Sequence, residues 1–213
     1  DVRWIREPDE GQSDALNKGF LAATGDIVGW LNADDRYLPG ALAHAAAAFE
    51  SSTADVIYGN TRWIDQAGSV IKLRREIPTT DFLLKYLHVL TIPTASSFFR
   101  RSIFDRGHLL DREYHFAMDY EFFLRLRKHN MEIDHIDAYL ADFRFHDASK
   151  TTTASDRQSA DMRRALLAHE PRWADKPRSR AAGELKIRQF AARSIRTFRK
   201  LRAGCYQTLP VEG

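Results

Sequence analysis

The chain has 213 residues, 44% hydrophobic and 29% charged, with a formal net charge of +3. That length supports one full domain with a real core plus an appendage, and the composition is that of a globular protein rather than a disordered or fibrous one. No stretch approaches the ~20 apolar residues of a membrane-spanning helix, and a single cysteine, Cys205, excludes an internal disulfide framework and fits a reducing, cytoplasmic compartment.

Residues 2–5 read as the end of a strand, and Pro8-Asp9-Glu10-Gly11 as a turn. Ser13 is placed to cap a helix that runs to about Ala23, with Ala15, Leu16, Gly19, Phe20 and Ala23 on one face. Gly25-Asp26 then turns the chain into a short apolar strand, residues 27–31, which drives into Asp34 and Asp35. Residues 38–49 form a second helix with Pro39 in its first turn. A strand at 55–58 follows, and segments 61–64 and 69–73 flank Asp65-Gln66-Ala67-Gly68 as a hairpin. Residues 80–87 read as a helix, 95–100 as extended chain and 102–106 as a short helix. An amphipathic helix covers 120–129, an extended segment 133–145, and two more helices 156–168 and 181–201. A strand–helix–strand start followed by hairpins predicts an α/β fold, a mixed sheet with helices on its faces.

Two carboxylates just past a strand's carboxyl end stand where open α/β sheets bind ligands. Side by side they repel and lose solvation unless a cation or hydrogen-bond donors compensate. Hard oxygen ligands there favour Mg²⁺ or Mn²⁺ shared with a substrate's phosphates. The competing reading is a solvated turn whose carboxylates cap the next helix.

Four segments carry more together than apart: residues 7–19 (Glu-Pro-Asp-Glu-Gly-Gln-Ser-Asp-Ala-Leu-Asn-Lys-Gly), 31–35 (Leu-Asn-Ala-Asp-Asp), 118–126 (Met-Asp-Tyr-Glu-Phe-Phe-Leu-Arg-Leu) and 143–151 (Phe-Arg-Phe-His-Asp-Ala-Ser-Lys-Thr). In this order, over roughly residues 4–152, they resemble the family 2 glycosyltransferases of the GT-A fold, most closely bacterial enzymes that build cell-envelope and exported polysaccharides. The resemblance implies an inverting transfer of a sugar from a nucleotide-diphosphate sugar to a hydroxyl of a saccharide or lipid-linked saccharide. It assigns Asp119 as general base and a divalent metal to Asp35, with Asp34 on the ribose or reaching the metal through water and His146 as a third ligand or diphosphate contact. Asp9, Asp14, Lys18, Arg144 and Lys150 fall on the donor side. Glu121, Ser96 and Arg100 fall on the acceptor side. Two positions depart from the pattern: Asn32, where the family often has Asp, is not expected to bind metal, and Met118 replaces an acid before the base. Trp30, Trp63 and Tyr120 are candidates for stacking on sugar rings, with a core position favoured for Trp30. Asn17 and Gly19 are expected to be structural, Gly19 by allowing close backbone approach.

The resemblance also implies that two strand–helix units of the GT-A sheet precede residue 1, which is Asp rather than Met. The expectations are a partial GT-A domain at 1–152 with a helical, basic extension at 153–213, weak donor binding by this chain, and an exposed sheet edge that invites self-association. Eleven Lys or Arg residues lie between Arg172 and Arg202, opposed by Asp175 and Glu184 alone. Residues 178–203 thus form a basic helix with Ala182, Leu185, Ile187, Phe190, Ile195, Phe198 and Leu201 as its apolar set. It either packs on the domain with a solvated basic face, the favoured reading, or lies on an anionic membrane surface. No motif supports nucleic-acid binding. Two rival functions stand beside glycosyl transfer: a non-catalytic remnant or interaction module, and a nucleotidyltransferase.

Overall fold

In the computed structural model, which describes residues 3–87, 89–145, 155–170, 173 and 178–206, the short apolar segments pair into a single sheet. Its strands are β1 (Ile27–Gly29), β2 (Arg36–Tyr37), β3 (Val56–Ile64), β4 (Val70–Arg74), β5 (Ser97–Arg100) and β6 (Ile133–Arg144). The order is β1-β5-β3-β6-β2, with β4 paired on β3 to complete six strands. β5 runs antiparallel to both β1 and β3, while β6 runs parallel to β3. β1, β3 and β6 therefore share a direction, and their carboxyl ends gather at one end of the sheet. Among the described residues, β1 pairs with β5 alone and forms one edge of the sheet.

The helices are α1 (Gln12–Ala22), α2 (Ala41–Ser51), α3 (Asp81–Tyr86), α4 (Ser102–Asp105), α5 (Met118–Lys128), α6 (Ser155–His169) and α7 (Arg178–Arg202). α1, α4 and α5 cover one face, where Phe20, Trp30, Phe99, Phe104, Phe122 and Phe123 form an aromatic core. α2 covers the other through Ala41, Ala45 and Phe49 against Ile57, Phe98 and Leu140. A third cluster joins Leu83, Tyr86 and Leu87 to Trp173, Ala192 and Cys205. The carboxyl-terminal helices are thereby packed against the sheet domain.

Several local expectations change. Residues 3–9 pair with no strand, and Trp4 and Ile5 are exposed. Ser13 does not cap α1: Gly11 holds that position, and the Ser13 hydroxyl turns inward to Met118 Sδ at 3.0 Å. This contact ties the amino ends of α1 and α5 together. Pro39 stays outside α2, because Gly40 takes a left-handed conformation, φ 82°, just before Ala41. Segments 55–58 and 61–64 fuse into the single strand β3 across Gly59, where a side chain would meet the Ala138 carbonyl at 2.6 Å. Close approach thus falls to Gly59, since nothing lies within 4 Å of a side chain at Gly19. Asn17 is structural as expected. Its amide donates to the Leu110 carbonyl and accepts from the Leu110 N–H, at 2.9 and 2.8 Å, as a peptide group would.

Candidate active site

The Asp34–Asp35 turn is built by the residues around it. Trp30 is buried, and its indole N–H donates to Asn32 Oδ1. Asn32 Nδ2 donates to Asp35 Oδ2 at 3.1 Å, and the Arg144 backbone N–H donates to Asp35 Oδ1 at 2.9 Å. An aspartate at position 32 would face Asp35 as a second anion. Asparagine supplies a donor instead. Asp35 is only 8% exposed. Burial raises its pKa, as does Asp34, against the opposing pull of the two hydrogen bonds and the Arg144 charge. Asp34 is the exposed member of the pair. Asp35 shapes the turn from within, and Asp34 faces solvent.

Arg144 holds the same turn from β6. Its guanidinium donates to the Asp34 carbonyl at 3.0 Å and to the Asp65 and Gln66 carbonyls at 2.8 and 2.9 Å. It clamps the β1 turn to the β3–β4 hairpin rather than standing out as a phosphate-binding cation. His146 and Lys150 lie outside the described residues. Among the described residues, no group of three or more His, Cys, Asp or Glu side chains is placed to hold a metal ion.

Asp119 stands in the first turn of α5, beside a cavity of about 500 Å³ that Thr61, Trp63, Phe143, Phe145, Arg196 and Lys200 also line. The residue is half-buried at the cavity wall. Burial pushes its pKa above the usual carboxylate value, opposed by the Tyr120 backbone N–H at 2.8 Å, its own N–H and the Arg74 charge. A carboxylate desolvated in this way, next to space for a substrate, has the character of a general base.

The other predicted residues divide. Asp9 accepts from the Gly11 N–H at 2.9 Å. Asp14 accepts from the Glu10 N–H, and Lys18 bridges Asp14, Glu7 and the Pro8 carbonyl. The Glu10 hydrogen bond, then Lys18 and Arg112, hold the Asp14 pKa below its usual value against a counteracting desolvation. These residues fasten the loop before α1. The three residues expected on the acceptor side make internal contacts. The Ser96 hydroxyl is buried, donating to the Gly59 carbonyl. Arg100 clamps the end of α2 through the Phe49, Ser52 and Ala54 carbonyls. Glu121 is buried between Arg125 and His169, joining α5 to α6. None of the three borders the cavity. Of the aromatic candidates, Trp30 is core, and Tyr120 is buried with its hydroxyl on the Lys85 carbonyl. Trp63 presents itself at the cavity, stacked on Phe145 with Lys72 over its ring.

One cluster was not legible in the sequence. Glu76 is 2% exposed and meets Arg74 at 2.8 Å, Arg196 at 2.9 Å and Lys200 at 3.1 Å. Two of these cations come from α7. The basic tail is thus not simply solvated: Arg196 and Lys200 turn inward. Its apolar residues Ile187, Phe190, Phe198 and Leu201 turn outward, 60–74% exposed. The Arg74-Arg75-Glu76 triplet and the i, i+4 spacing of Arg196 and Lys200 were the available signals.

The mixed α/β sheet, whose parallel strands end beside the Asp34–Asp35 turn, has the GT-A fold. The TarS glycosyltransferase of S. aureus, in a structure of residues 1–349 with UDP-GlcNAc, superposes with a TM-score of 0.59 at 16% identity, over 90% of this chain and 56% of that one. A second structure of residues 1–349 of that protein gives 0.54 at 14% identity, over 95% of this chain and 56% of that one. The family description "Glycosyl transferase family 2" matches residues 1–118, and the chain belongs to that family. The match ends one residue before Asp119. Relatives include an uncharacterized glycosyltransferase of Nostoc, 37% identical over 32% of this chain and 23% of its own length. Another, from Mycobacterium tuberculosis, is 31% identical over 57% and 46%. A third, from Bacillus subtilis, is 25% identical over 87% and 66%. The chain spans from about a quarter to two thirds of the length of these relatives.

Proposed function

We propose that this chain carries the catalytic core of an inverting glycosyltransferase that moves a sugar from a nucleotide-diphosphate donor to a hydroxyl acceptor in cell-envelope or exported polysaccharide synthesis. The observation that carries the reading is Asp119, a carboxyl group with a raised pKa on the wall of a substrate-sized cavity. In the proposed step, Asp119 accepts the acceptor's hydroxyl proton as that oxygen attacks the anomeric carbon. The carbon–oxygen bond to the diphosphate breaks on the opposite face, and the diphosphate leaves with the electron pair. One displacement inverts the anomeric centre.

Asp34 would hold Mg²⁺ or Mn²⁺, and the cation would supply positive charge to offset the negative charge growing on the leaving diphosphate. The pairing of Asp34 outside with Asp35 inside predicts a division of effects. Asp34→Asn should cut turnover about a hundredfold and leave the melting temperature unchanged. Asp35→Ala should lower the melting temperature as well, because it leaves the Asn32 Nδ2 and the Arg144 N–H without their acceptor. Equal melting temperatures for the two variants would overturn the division. Metal-dependent release of nucleoside diphosphate from a donor panel by the full-length gene product tests the function itself. Release of pyrophosphate instead would mark a nucleotidyltransferase, and no turnover across the panel would favour an interaction module.

The exposed apolar stripe of α7, with Arg193, Arg199 and Arg202 around it, supports peripheral contact with an anionic membrane, where a lipid-linked acceptor would be met. No helix among the described residues is long and apolar enough to cross a membrane. The double substitution Phe190→Glu and Phe198→Glu should abolish co-sedimentation with anionic vesicles while leaving the circular dichroism spectrum intact. Retained co-sedimentation would remove the membrane from this reading.

A further inference from the structure

The cavity beside Asp119 has a lopsided chemistry. One side is aromatic, with Trp63, Phe143 and Phe145. The other is cationic, with Arg74, Arg75, Arg196 and Lys200. Asp137 takes up Arg75. Among the described residues, Glu76 pairs with the remaining three cations, all within 3.1 Å, and the Asp119 carboxyl across the cavity feels the Arg74 charge. Two carboxylates against three cations still leave an excess of positive charge in a partly desolvated place, where charge is expensive to leave uncompensated. Lys200 registers this: burial, followed by the repulsion of Arg196 and Arg74, lowers its pKa despite the attraction of Glu76.

A second, independent observation lies in the hydrogen bonds. Thr61 Oγ1, Trp63 Nε1 and Arg196 Nε are buried atoms with no hydrogen-bond partner among the described residues. All three residues line this cavity. Thr61 as a whole is only 1% exposed. The tryptophan and arginine atoms can only donate, and the threonine hydroxyl can donate. Buried donors without partners are uncommon in native proteins, because each forfeits its hydration. Three around one cavity, beside excess positive charge, form a coherent set.

We propose that this cavity is an oxyanion-binding acceptor site, so that the acceptor of the transfer carries a phosphate or carboxylate group close to its reacting hydroxyl. The anion lies among Arg196, Lys200 and Thr61, the sugar or polyol part packs on Trp63, and the hydroxyl meets Asp119. This is distinct from the donor diphosphate site, because neither Asp34 nor Asp35 borders the cavity. It gives α7 a role in substrate choice, since α7 supplies both Arg196 and Lys200. The inference rests on the transferase reading for calling the occupant an acceptor; the binding of an oxyanion does not depend on it.

Calorimetric titration of the full chain with inorganic phosphate, glucose 6-phosphate, glucuronate and glucose tests it. Phosphate, glucose 6-phosphate and glucuronate should bind, with glucose at least tenfold weaker. Stronger binding of the phosphates or of glucuronate identifies which oxyanion the site prefers. Arg196→Gln should weaken oxyanion binding about tenfold, the scale of one charge-assisted hydrogen bond. Arg196→Gln also disturbs Glu76, so Thr61→Val serves as the second variant. It leaves the ion cluster intact and should hold or raise the melting temperature while weakening oxyanion binding several-fold. Glucose binding as tightly as glucose 6-phosphate, or unchanged phosphate affinity in both variants, would overturn the proposal. Oxyanion binding without sugar transfer from any donor would refute the transferase reading and leave the oxyanion site standing. Transfer that proceeds equally well to neutral acceptors, with unaltered KM in both variants, would do the reverse.

Discussion

Replacing Asp119 with Asn should reduce sugar transfer by about 10²- to 10⁴-fold, the usual worth of a positioned general base, while making the protein more stable. The two effects share one cause. The Asp119 carboxyl stands half-buried at the cavity wall, and its pKa lies above the ordinary 3.8 because desolvation disfavours the charged form. A carboxyl with a raised folded pKa holds its proton more tightly in the native state than in the unfolded chain. Stability therefore falls as pH climbs from 3.8 toward the raised value, and stays lowered above it. Asn removes that charge and keeps an oxygen to accept from the Tyr120 N–H. The gain in melting temperature of Asp119→Asn over the parent should be largest at neutral pH and vanish below about pH 3.8. The acid limb of kcat should fall above the normal carboxylate range for the same reason. Thermal melts across pH, with single-turnover assays on the full-length gene product, check both. A variant that loses activity and melts lower at neutral pH would show Asp119 to be a structural cap of α5 instead.

Legibility in the sequence followed the range of the forces involved. The hairpin at Asp65–Gly68, the helix that Thr80 caps and the amphipathic helix at α5 came through because their signals are local. The end of β1 at an acidic turn also came through, since a buried run stops where carboxylates begin. The division of labour between Asp34 and Asp35 did not. It is set by the Arg144 backbone N–H, which belongs to β6 and arrives through the fold. The internal partners of Ser96 and Arg100 were not legible, because a hydroxyl and a guanidinium read alike from sequence whether they meet substrate or a neighbouring carbonyl. α7 shows the limit best. Its basic composition was plain, but which cations point inward depends on Glu76, more than a hundred residues away in the chain. Of the expected strand at residues 2–5, residues 3–5 pair with no strand among the described residues, and strand propensity without pairing does not hold a strand.

Glu76→Gln should be the most destabilising single substitution outside the aromatic core, costing about 3–5 kcal/mol, the scale of breaking a buried ion pair by removing one partner. Burial by itself would raise the Glu76 pKa; Arg74, Arg196 and Lys200 outweigh it and hold the group below its usual 4.5. A depressed folded pKa stabilises the native state above the unfolded value, and that stability drains away as pH falls through the folded pKa. The melting difference between Glu76→Gln and the parent should thus be full above about pH 4.5, on the order of 10 °C for a domain of this size, and shrink below it. Adding Lys200→Met to Glu76→Gln should restore part of the loss, because it removes one of the cations left without a counter-charge. The variant also bears on the oxyanion site. With Glu76 neutral, the three cations lose the carboxylate they pair with, so inorganic phosphate should raise the melting temperature of Glu76→Gln more than that of the parent. An equal phosphate shift in both proteins would mean that Glu76 and the bound anion do not share those cations. A melting temperature within 2 °C of the parent would mean that the cluster is too well hydrated to tie α7 to the sheet.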